Sequence, residues 1–342
     1  MDLFLLQKKV SEVLNALKKL QYPTGLFAAA GPEVKTGYHL AWVRDTVYST
    51  FGLEISKNWP EIIRAHHALL DVFKKHEYKI DWMIKEPQPK QAWRYIHARY
   101  RPFSGDEIWE DWGNKQNDAI GLFLFNTGRL HKKGVPVLRS QEDYLIIQKL
   151  VDYLESIEYW RDTDNGIWEE QEQLHASSIG ACIAGLKAVQ QIARVPNQLI
   201  LLGEQTLKRL LPLESPNRKE DLALLSLIYP FNVVSSEQEE AILRMVEENL
   251  VRQRGVIRYF GDKYYHCGVS EAEWTLGFCW LAIIYKQKKQ AHKHSFYLRK
   301  ATEAINEKGE LPELYYGNTS LHNENSPLAW AHSLYLVASG KD

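Results

Sequence analysis

The sequence predicts an all-α protein, and three observations carry that prediction. Apolar residues recur at helical spacing in about twelve segments, strand-like alternation is sparse, and unusual polar and aromatic residues fall on alternate connections between helical segments. The 342 residues are 45% hydrophobic and include 11 tryptophans, which suffices to bury a large core and to line a cleft with rings. We therefore expect a helical scaffold whose function lies on one set of loops.

The first helix is indicated by an apolar stripe that ends before Pro23 and Gly25. The residues of that stripe are Val10, Val13, Leu14, Leu17 and Leu20. Similar periodicity predicts further helices at residues 44–56, 60–76, 114–131, 140–160, 175–192, 197–211, 219–229, 235–250, 271–288, 290–307 and 327–339.

Strand signals are confined to one candidate hairpin, in which residues 256–260 and 264–267 would pair around Gly261-Asp262. No Pro/Gly/Ser-rich linker or low-complexity stretch divides the chain. We therefore expect a single domain over residues 1–342.

Charge and cysteine content exclude several classes of protein. With 42 basic and 43 acidic residues the formal charge is −1, so no global field attracts nucleic acid or an anionic membrane. Three widely spaced cysteines cannot form a disulfide framework or a zinc site, and the paired histidines lack partners at ligand spacing, so no metal is expected. Neither a secretory signal nor a window of transmembrane length is visible, which predicts a cytoplasmic location.

The connections before the second, fourth, sixth, tenth and twelfth predicted helices carry the unusual residues. They read Trp-Arg-Asp, Trp-Gly-Asn-Lys-Gln-Asn-Asp, Trp-Glu-Glu, Arg-Tyr and Leu-Pro-Glu, respectively. If helices alternate between inner and outer positions, every second connection opens on the same end of a ring. This placement predicts one functional mouth.

The Trp-Glu-Glu connection is suited to general-acid chemistry. Glu169 and Glu170 follow Trp168 directly after the turn at Gly166. A carboxyl packed on an indole loses water and a neighbouring acid adds like charge, and both effects raise its pKa. The alternative is an exposed turn opening a helix, where Glu in the first turn is favoured by the helix dipole.

Four stretches together resemble glycoside hydrolase family 15, the glucoamylases, and the related alpha and beta regulatory subunits of phosphorylase kinase. They are GYHLAWVRDTVYS (37–49), WEDWGNKQNDAIGLFLF (109–125), NGIWEEQEQLHASSIGACIAGLKAV (165–189) and LPELYYGNTSLHNENSPLAWAHSLYLVA (311–338), and a fifth stretch, residues 255–285, fits as well. The resemblance implies an (α/α)6 barrel of twelve helices. It also implies inverting hydrolysis at the non-reducing end of α-glucans, without a metal or organic cofactor.

The resemblance assigns the general acid to Glu169 and the general base to Glu313, with Glu170 stabilising charge and substrate geometry. Inversion needs an acid to protonate the leaving oxygen and a carboxylate to activate water on the opposite face, about 6.5 to 9.5 Å away. Taken alone, Glu313 could also be a solvated loop acid after Pro312.

The resemblance also assigns sugar-binding residues. Arg44 and Asp45 would grip the hydroxyls of the terminal sugar, since a charge-assisted bond from a fixed carboxylate is strong and directional, while Trp42 packs beneath. Arg258 and Tyr259 match a further sugar-binding position. The alternatives are a helix N-terminal ion pair for the first pair and a surface hairpin for the second.

Three further residues are expected at the substrate. Trp112 and Asp118 match the entrance of the fourth predicted helix, and Trp168 offers an apolar face for a pyranose ring. Trp109 and Trp274 offer similar faces, although tryptophans more often build cores.

Two departures from the glucoamylase pattern leave a second function open. Residues 271–274 read Glu-Ala-Glu-Trp where fungal glucoamylases have an Asn-Pro-Trp element, and WGNKQNDAIG is closer to the phosphorylase-kinase-like branch. We expect an α-linked oligosaccharide or polysaccharide as ligand. The chain would either hydrolyse it or bind it as a catalytically silent regulatory module.

Overall fold

The computed structural model describes residues 3–108, 110 and 112–340, with the side chains of residues 3–5 left aside. Within that part of the chain, the α-helices are α1 (Leu3–Lys19), α2 (Val43–Ile55), α3 (Trp59–Lys75), α4 (Glu77–Lys85), α5 (Asn117–Lys132), α6 (Gln141–Ser156), α7 (Ala176–Val189), α8 (Asn197–Leu210), α9 (Ser236–Met245), α10 (Leu276–Gln287), α11 (Ala291–Glu303) and α12 (Ala329–Ser339). Two 3-10 helices (Ala92–Arg94 and Leu222–Leu227) and one π-helix (Val246–Leu250) complete the helical content of the described residues.

Six segments close into an inner ring. Along it α2 contacts α5, α5 contacts α7, α7 contacts the 3-10 helix Leu222–Leu227, that helix contacts α10, α10 contacts α12, and α12 returns to α2. Helices α1, α3, α6, α8, α9 and α11 pack around this ring. The predictions of an all-α class and of an (α/α)6 barrel are thereby confirmed.

The position of each helix follows from its sequence. The inner helices α7, α10 and α12 are apolar along most of their length and are buried almost throughout, whereas the outer helices α3 and α8 alternate buried and exposed faces. The extent of apolar sequence therefore separates the inner helices from the outer ones.

Close approach within the ring depends on Gly121 in α5, since a Cβ there would lie 2.4 Å from the carbonyl carbon of Ala181 in α7.

Several predicted elements differ from those in the structure. The helix expected at residues 219–229 is the short 3-10 helix Leu222–Leu227. The helix expected at residues 235–250 consists of α9 followed directly by the π-helix Val246–Leu250. Helix α4 was not predicted. Its buried residues are Lys79, Ile80 and Met83, so its apolar stripe is too short to stand out.

The predicted hairpin at residues 256–267 is wrong. Val256 instead makes single bridges to Val251 and Trp274, and the guanidinium of Arg258 grips Asp262 in a tight turn, with both N···O distances 2.6 Å. The strands in the described chain are β1 (Ala41–Trp42), β2 (Arg99–Tyr100), β3 (Glu273–Trp274) and β4 (Leu314–Tyr315). Antiparallel pairs β1–β2 and β3–β4 join loops that are distant in sequence.

All six inner segments begin at the same end of the barrel, because the loops that precede them meet in one cavity. The expectation that alternate connections share one mouth agrees with this arrangement. None of the helices in the described residues has the length and apolar character needed to cross a membrane.

Candidate active site

A cavity of about 610 Å³ opens where the inner helices begin. Ten of the eleven residues predicted for the site line it: Trp42, Arg44, Asp45, Trp112, Trp168, Glu169, Glu170, Arg258, Tyr259 and Glu313. Asp118 does not line the cavity, although it lies directly behind one of its walls. The side chain of Trp274 is also in the lining, whereas Trp109 falls outside the described residues.

Glu169 sits at a strained point of the loop before α7. Its φ is 63°, in the left-handed region that non-glycine residues rarely adopt, and its partly buried side chain accepts a 2.7 Å bond from Nη2 of Arg44. Burial raises the pKa of Glu169 to about 7, against the opposing charge of Arg44 and with like charge from Asp45. Burial therefore favours the protonated carboxyl at higher pH than for an exposed Glu.

The neighbour that raises this pKa differs from the one predicted. The like charge comes from Asp45, while Glu170 points away to its own cations. The loop is also not the first turn of a helix, because α7 begins only at Ala176. The alternative of a helix-opening acid is thus excluded for Glu169.

A buried ion pair between His175 and Glu214 packs against the loop that carries Glu169. Gly166 has φ +64°, and a Cβ there would lie 2.8 Å from the ring of His175. Nδ1 of His175 lies 3.4 Å from Oε1 of Glu214. Burial lowers the pKa of His175, but the hydrogen bond to Glu214 and the charge of Asp164 outweigh it and raise the pKa to about 9.

Arg44 ties the acid loop to α5. Its Nη1 donates to Oε1 of Gln116 and to Oδ2 of Asp118, both at 2.9 Å, while Nη2 reaches Glu169. Arg44 and Asp118 are each 3% exposed, so the pair is shielded from water. Asp118, which was predicted at the substrate, is absent from the cavity lining and pairs with Arg44 instead.

Asp45, in the first turn of α2, faces the cavity beside Arg44. It is 7% exposed. Burial raises the pKa of Asp45 to about 6, with the charge of Arg44 opposing and the charge of Glu313 adding to the rise. Asp45 therefore interacts electrostatically with both Glu169 and Glu313 across the same space.

Glu313 precedes β4 and is 1% exposed, so it is not a solvated loop acid. Its Oε1 accepts a 2.7 Å bond from the hydroxyl of Tyr38, and Oε2 accepts bonds of 2.6 and 2.8 Å from the side-chain amides of Asn323 and Asn325. The Tyr264 hydroxyl lies 3.4 Å from both carboxylate oxygens. Burial raises the pKa of Glu313, while these donors favour the carboxylate.

Glu170 is held by two arginines and a phenol. Arg218 Nη2 lies 2.7 Å from Oε2, Arg258 Nη2 lies 3.3 Å from Oε1, and the hydroxyl of Tyr259 donates to Oε1. Arg258 is 4% exposed, which excludes the alternative of a surface hairpin residue. Its guanidinium stacks 5.4 Å from the ring centre of Trp168.

An aromatic wall completes the cavity. Trp168 contacts Trp274 at 5.4 Å and Trp330 at 6.3 Å between ring centres, and its Nε1 donates to Oδ1 of Asp221 at 2.8 Å. Trp42, also in the lining, meets Trp112 edge-to-face at 6.0 Å between ring centres. These tryptophans line the cavity and also pack against the hydrophobic core.

The contributors to the site that were not predicted include Tyr38, Arg218, Tyr264, Asn323, Asn325 and Trp330. All but Arg218 lie within the stretches that carried the family resemblance, so a closer inspection of those stretches could have found them. Arg218 lies in a segment without a recognisable motif. Across the described residues, no group of three or more His, Cys, Asp and Glu side chains could hold a metal ion.

Comparisons with known proteins show which family and which fold this chain shares. Residues 7–210 match the model of glycosyl hydrolases family 15. The regulatory alpha subunit of phosphorylase b kinase from Oryctolagus cuniculus skeletal muscle is 26% identical, and a probable alpha subunit from Caenorhabditis elegans is 24% identical, each over 87% of this chain. The chain spans 30% of the length of each of these relatives.

Among solved structures, a wild-type glycosidase superposes with a TM-score of 0.85 at 20% identity, covering 99% of this chain and 98% of its own. A glycosidase variant in complex with glucose reaches 0.81 at 20% identity, over the same shares of both chains. The glucoamylase from Saccharomycopsis fibuligera reaches 0.70 at 15% identity, covering 98% and 94%. At these identities the likeness shows a shared fold.

Proposed function

The chain belongs to glycosyl hydrolases family 15, and from that premise we propose that it is an inverting, exo-acting α-glucoside hydrolase. It would release β-glucose from the non-reducing end of α-glucans or oligosaccharides. The observation that carries the proposal is that Glu169 and Glu313, from loops distant in sequence, line one cavity in different surroundings. The cytoplasmic location stays a prediction.

Glu169 acts as the general acid in this proposal. With a pKa of about 7 it holds a proton for the leaving glycosidic oxygen over the neutral range. Arg44 does not prevent protonation, because Asp118 continues to balance its charge when Glu169 becomes neutral. When Glu169 is neutral, a hydroxyl of the bound sugar can accept the hydrogen bond that Arg44 otherwise donates to Glu169.

Glu313 acts as the general base. Three hydrogen bonds to its oxygens, from Tyr38, Asn323 and Asn325, stabilise the ionised form and fix its orientation. In an inverting reaction this carboxylate removes a proton from water as the water attacks the anomeric carbon from the face opposite the leaving group. The product is then the β-anomer.

The remaining lining residues would hold the terminal sugar. Arg44 and Asp45 offer a charged donor and acceptor to neighbouring hydroxyls, and Trp42 and Trp168 offer apolar faces. Glu170, fixed by Arg218, Arg258 and Tyr259, would stabilise positive charge that develops on the ring during cleavage.

The test is a substrate panel with the anomer of released glucose followed by proton NMR. Maltose, maltotriose, soluble starch, dextran and trehalose together report chain length and linkage. We expect β-glucose to appear before mutarotation from at least one α-linked substrate. Release of α-glucose would contradict inversion, and prolonged incubation without any release would contradict hydrolysis.

A second candidate function rests on the regulatory subunits among the relatives. The chain would then be a glucan-binding or regulatory module that does not cleave its ligand. Binding of maltotriose by calorimetry, without glucose after extended incubation, would favour this module. We prefer the enzyme because both carboxylates required for inversion are present and line one cavity.

A further inference from the structure

Three exposed aromatic rings form a continuous ridge on the outside of the barrel. Tyr78 and Trp82 lie one turn apart on α4, and Trp93 lies in the 3-10 helix Ala92–Arg94. Their exposed fractions are 44%, 39% and 51%. Ring centres lie 4.9 Å apart between Tyr78 and Trp82 and 6.0 Å apart between Trp82 and Trp93, both edge-to-face. Contiguous exposed aromatic surface is typical of interaction sites, whereas singly scattered apolar residues are not.

We propose that this aromatic ridge (Tyr78, Trp82 and Trp93) is an accessory binding site for α-glucan chains. Edge-to-face packing leaves the rings as separate apolar surfaces, each of a size to cover the C–H face of one pyranose, rather than as one flat patch. The choice of α-glucan as occupant rests on the proposed function.

Polar groups border the rings as a sugar requires. The guanidinium of Arg94 lies 5.7 Å from the ring centre of Trp82 and 6.0 Å from that of Trp93, which holds both indoles in place. Glu86 accepts a 3.1 Å bond from Gln88 nearby, and its Oε2 lies 3.9 Å from Arg94. Hydroxyls of a sugar stacked on the ridge would therefore meet both donors and acceptors.

Two ion pairs beside the ridge match opposite charges, which favours a neutral ligand. Tyr78 borders a second cavity of about 560 Å³. In its wall Lys75 pairs with Asp106 at 2.5 Å, and Glu110 pairs with Arg99 at 2.7 Å. A strongly charged partner would find no unmatched cluster of opposite sign in these pairs.

The ridge is linked to the rim of the active-site cavity. Asn114 donates a 3.0 Å bond from its side chain to the carbonyl of Ala92, beside Trp93, and its backbone N–H donates to the carbonyl of Trp112. Trp112 in turn lines the cavity. A glucan held on the ridge is therefore kept near the cavity mouth, which raises the local concentration of chain ends.

The probe is β-cyclodextrin, a ring of α-linked glucose without a non-reducing end to enter the cavity. Calorimetry should show binding to the wild type that saturating maltose does not displace. Trp82→Ala and Trp93→Ala should each weaken it by about tenfold or more, as expected for exposed Trp anchors. Phe296→Ala, which truncates a 37% exposed ring on α11, is the matched control and should bind normally.

No binding by the wild type, or equal binding by all variants of unchanged circular dichroism, would overturn the accessory site. A change of oligomeric state in the tryptophan variants without loss of cyclodextrin binding would assign the ridge to a protein interface instead. The two proposals can fail separately. Cyclodextrin binding without hydrolysis of maltose would contradict the proposed hydrolysis and leave the accessory site standing. Hydrolysis of maltose without cyclodextrin binding would contradict only the accessory site.

Discussion

Replacement of Glu169 by Gln isolates proton donation from the other contacts of this side chain. The amide oxygen of Gln can still accept the 2.7 Å bond from Arg44, and Asp118 still balances the guanidinium, so the cavity should keep its shape. An amide cannot supply the acidic proton. Because a positioned general acid contributes about 10² to 10⁴ in rate, we expect kcat/KM on maltose to fall roughly a thousandfold.

The identity of the leaving group makes this test specific. Fluoride departs without protonation, so Glu169→Gln should retain most of its activity on α-glucosyl fluoride. Glu313→Gln should lose about a hundredfold or more on both substrates, because each needs an activated water. Equal losses on maltose and on the fluoride in Glu169→Gln, with thermal unfolding unchanged, would refute the assignment of the acid.

Three further results are expected. Tyr38→Phe removes the 2.7 Å donor to Glu313, so kcat should fall about tenfold and the acidic limb of the pH profile should move to higher pH, as measured in steady-state assays. Asp118→Asn leaves the shared guanidinium more free to stabilise ionised Glu169; the pKa near 7 should fall, and the basic limb of kcat/KM should shift to lower pH, whereas an unmoved limb would contradict the coupling. The raised pKa of His175 gives stability that is complete below about pH 6.5 and is lost as pH rises through about 9, so in urea titrations His175→Gln should flatten the pH dependence of the unfolding free energy over that window.

The fold was predictable from sequence wherever a helix buries one long stripe. The outer helices α3 and α8 satisfied that condition, whereas the inner helices α7, α10 and α12 were recognisable as long apolar segments, and the ring followed from their alternation. Helix α4 did not, because one of its few buried positions is Lys79, which pairs with Glu107. The hairpin failed for a different reason: Val256 and Trp274 pair through a contact between distant segments, which local alternation cannot reveal.

The candidate site was predictable at the level of which residues gather, and less so for what each one contacts. The family resemblance pointed to Glu169 and Glu313, and both line the cavity. Which carboxylate supplies like charge to Glu169 depends on three-dimensional approach, and Asp45 does so rather than the adjacent Glu170. Arg218 was invisible because no motif surrounds it.

Closure of the ring between α2 and α12 has a consequence for when the protein could become active. Ser333 Oγ accepts a bond from the backbone N–H of Gly52 at 2.8 Å, across 281 residues of sequence. We expect such distant contacts to form late, because the entropy of closing the intervening loops must be paid before the contacts stabilise the fold. A ribosome-bound chain that lacks α12 would contain Glu169 and Glu313 but not Trp330, which lines the same cavity. Glucose release from stalled chains of increasing length would therefore report the chain length at which α12 packs against α2 and closes the ring.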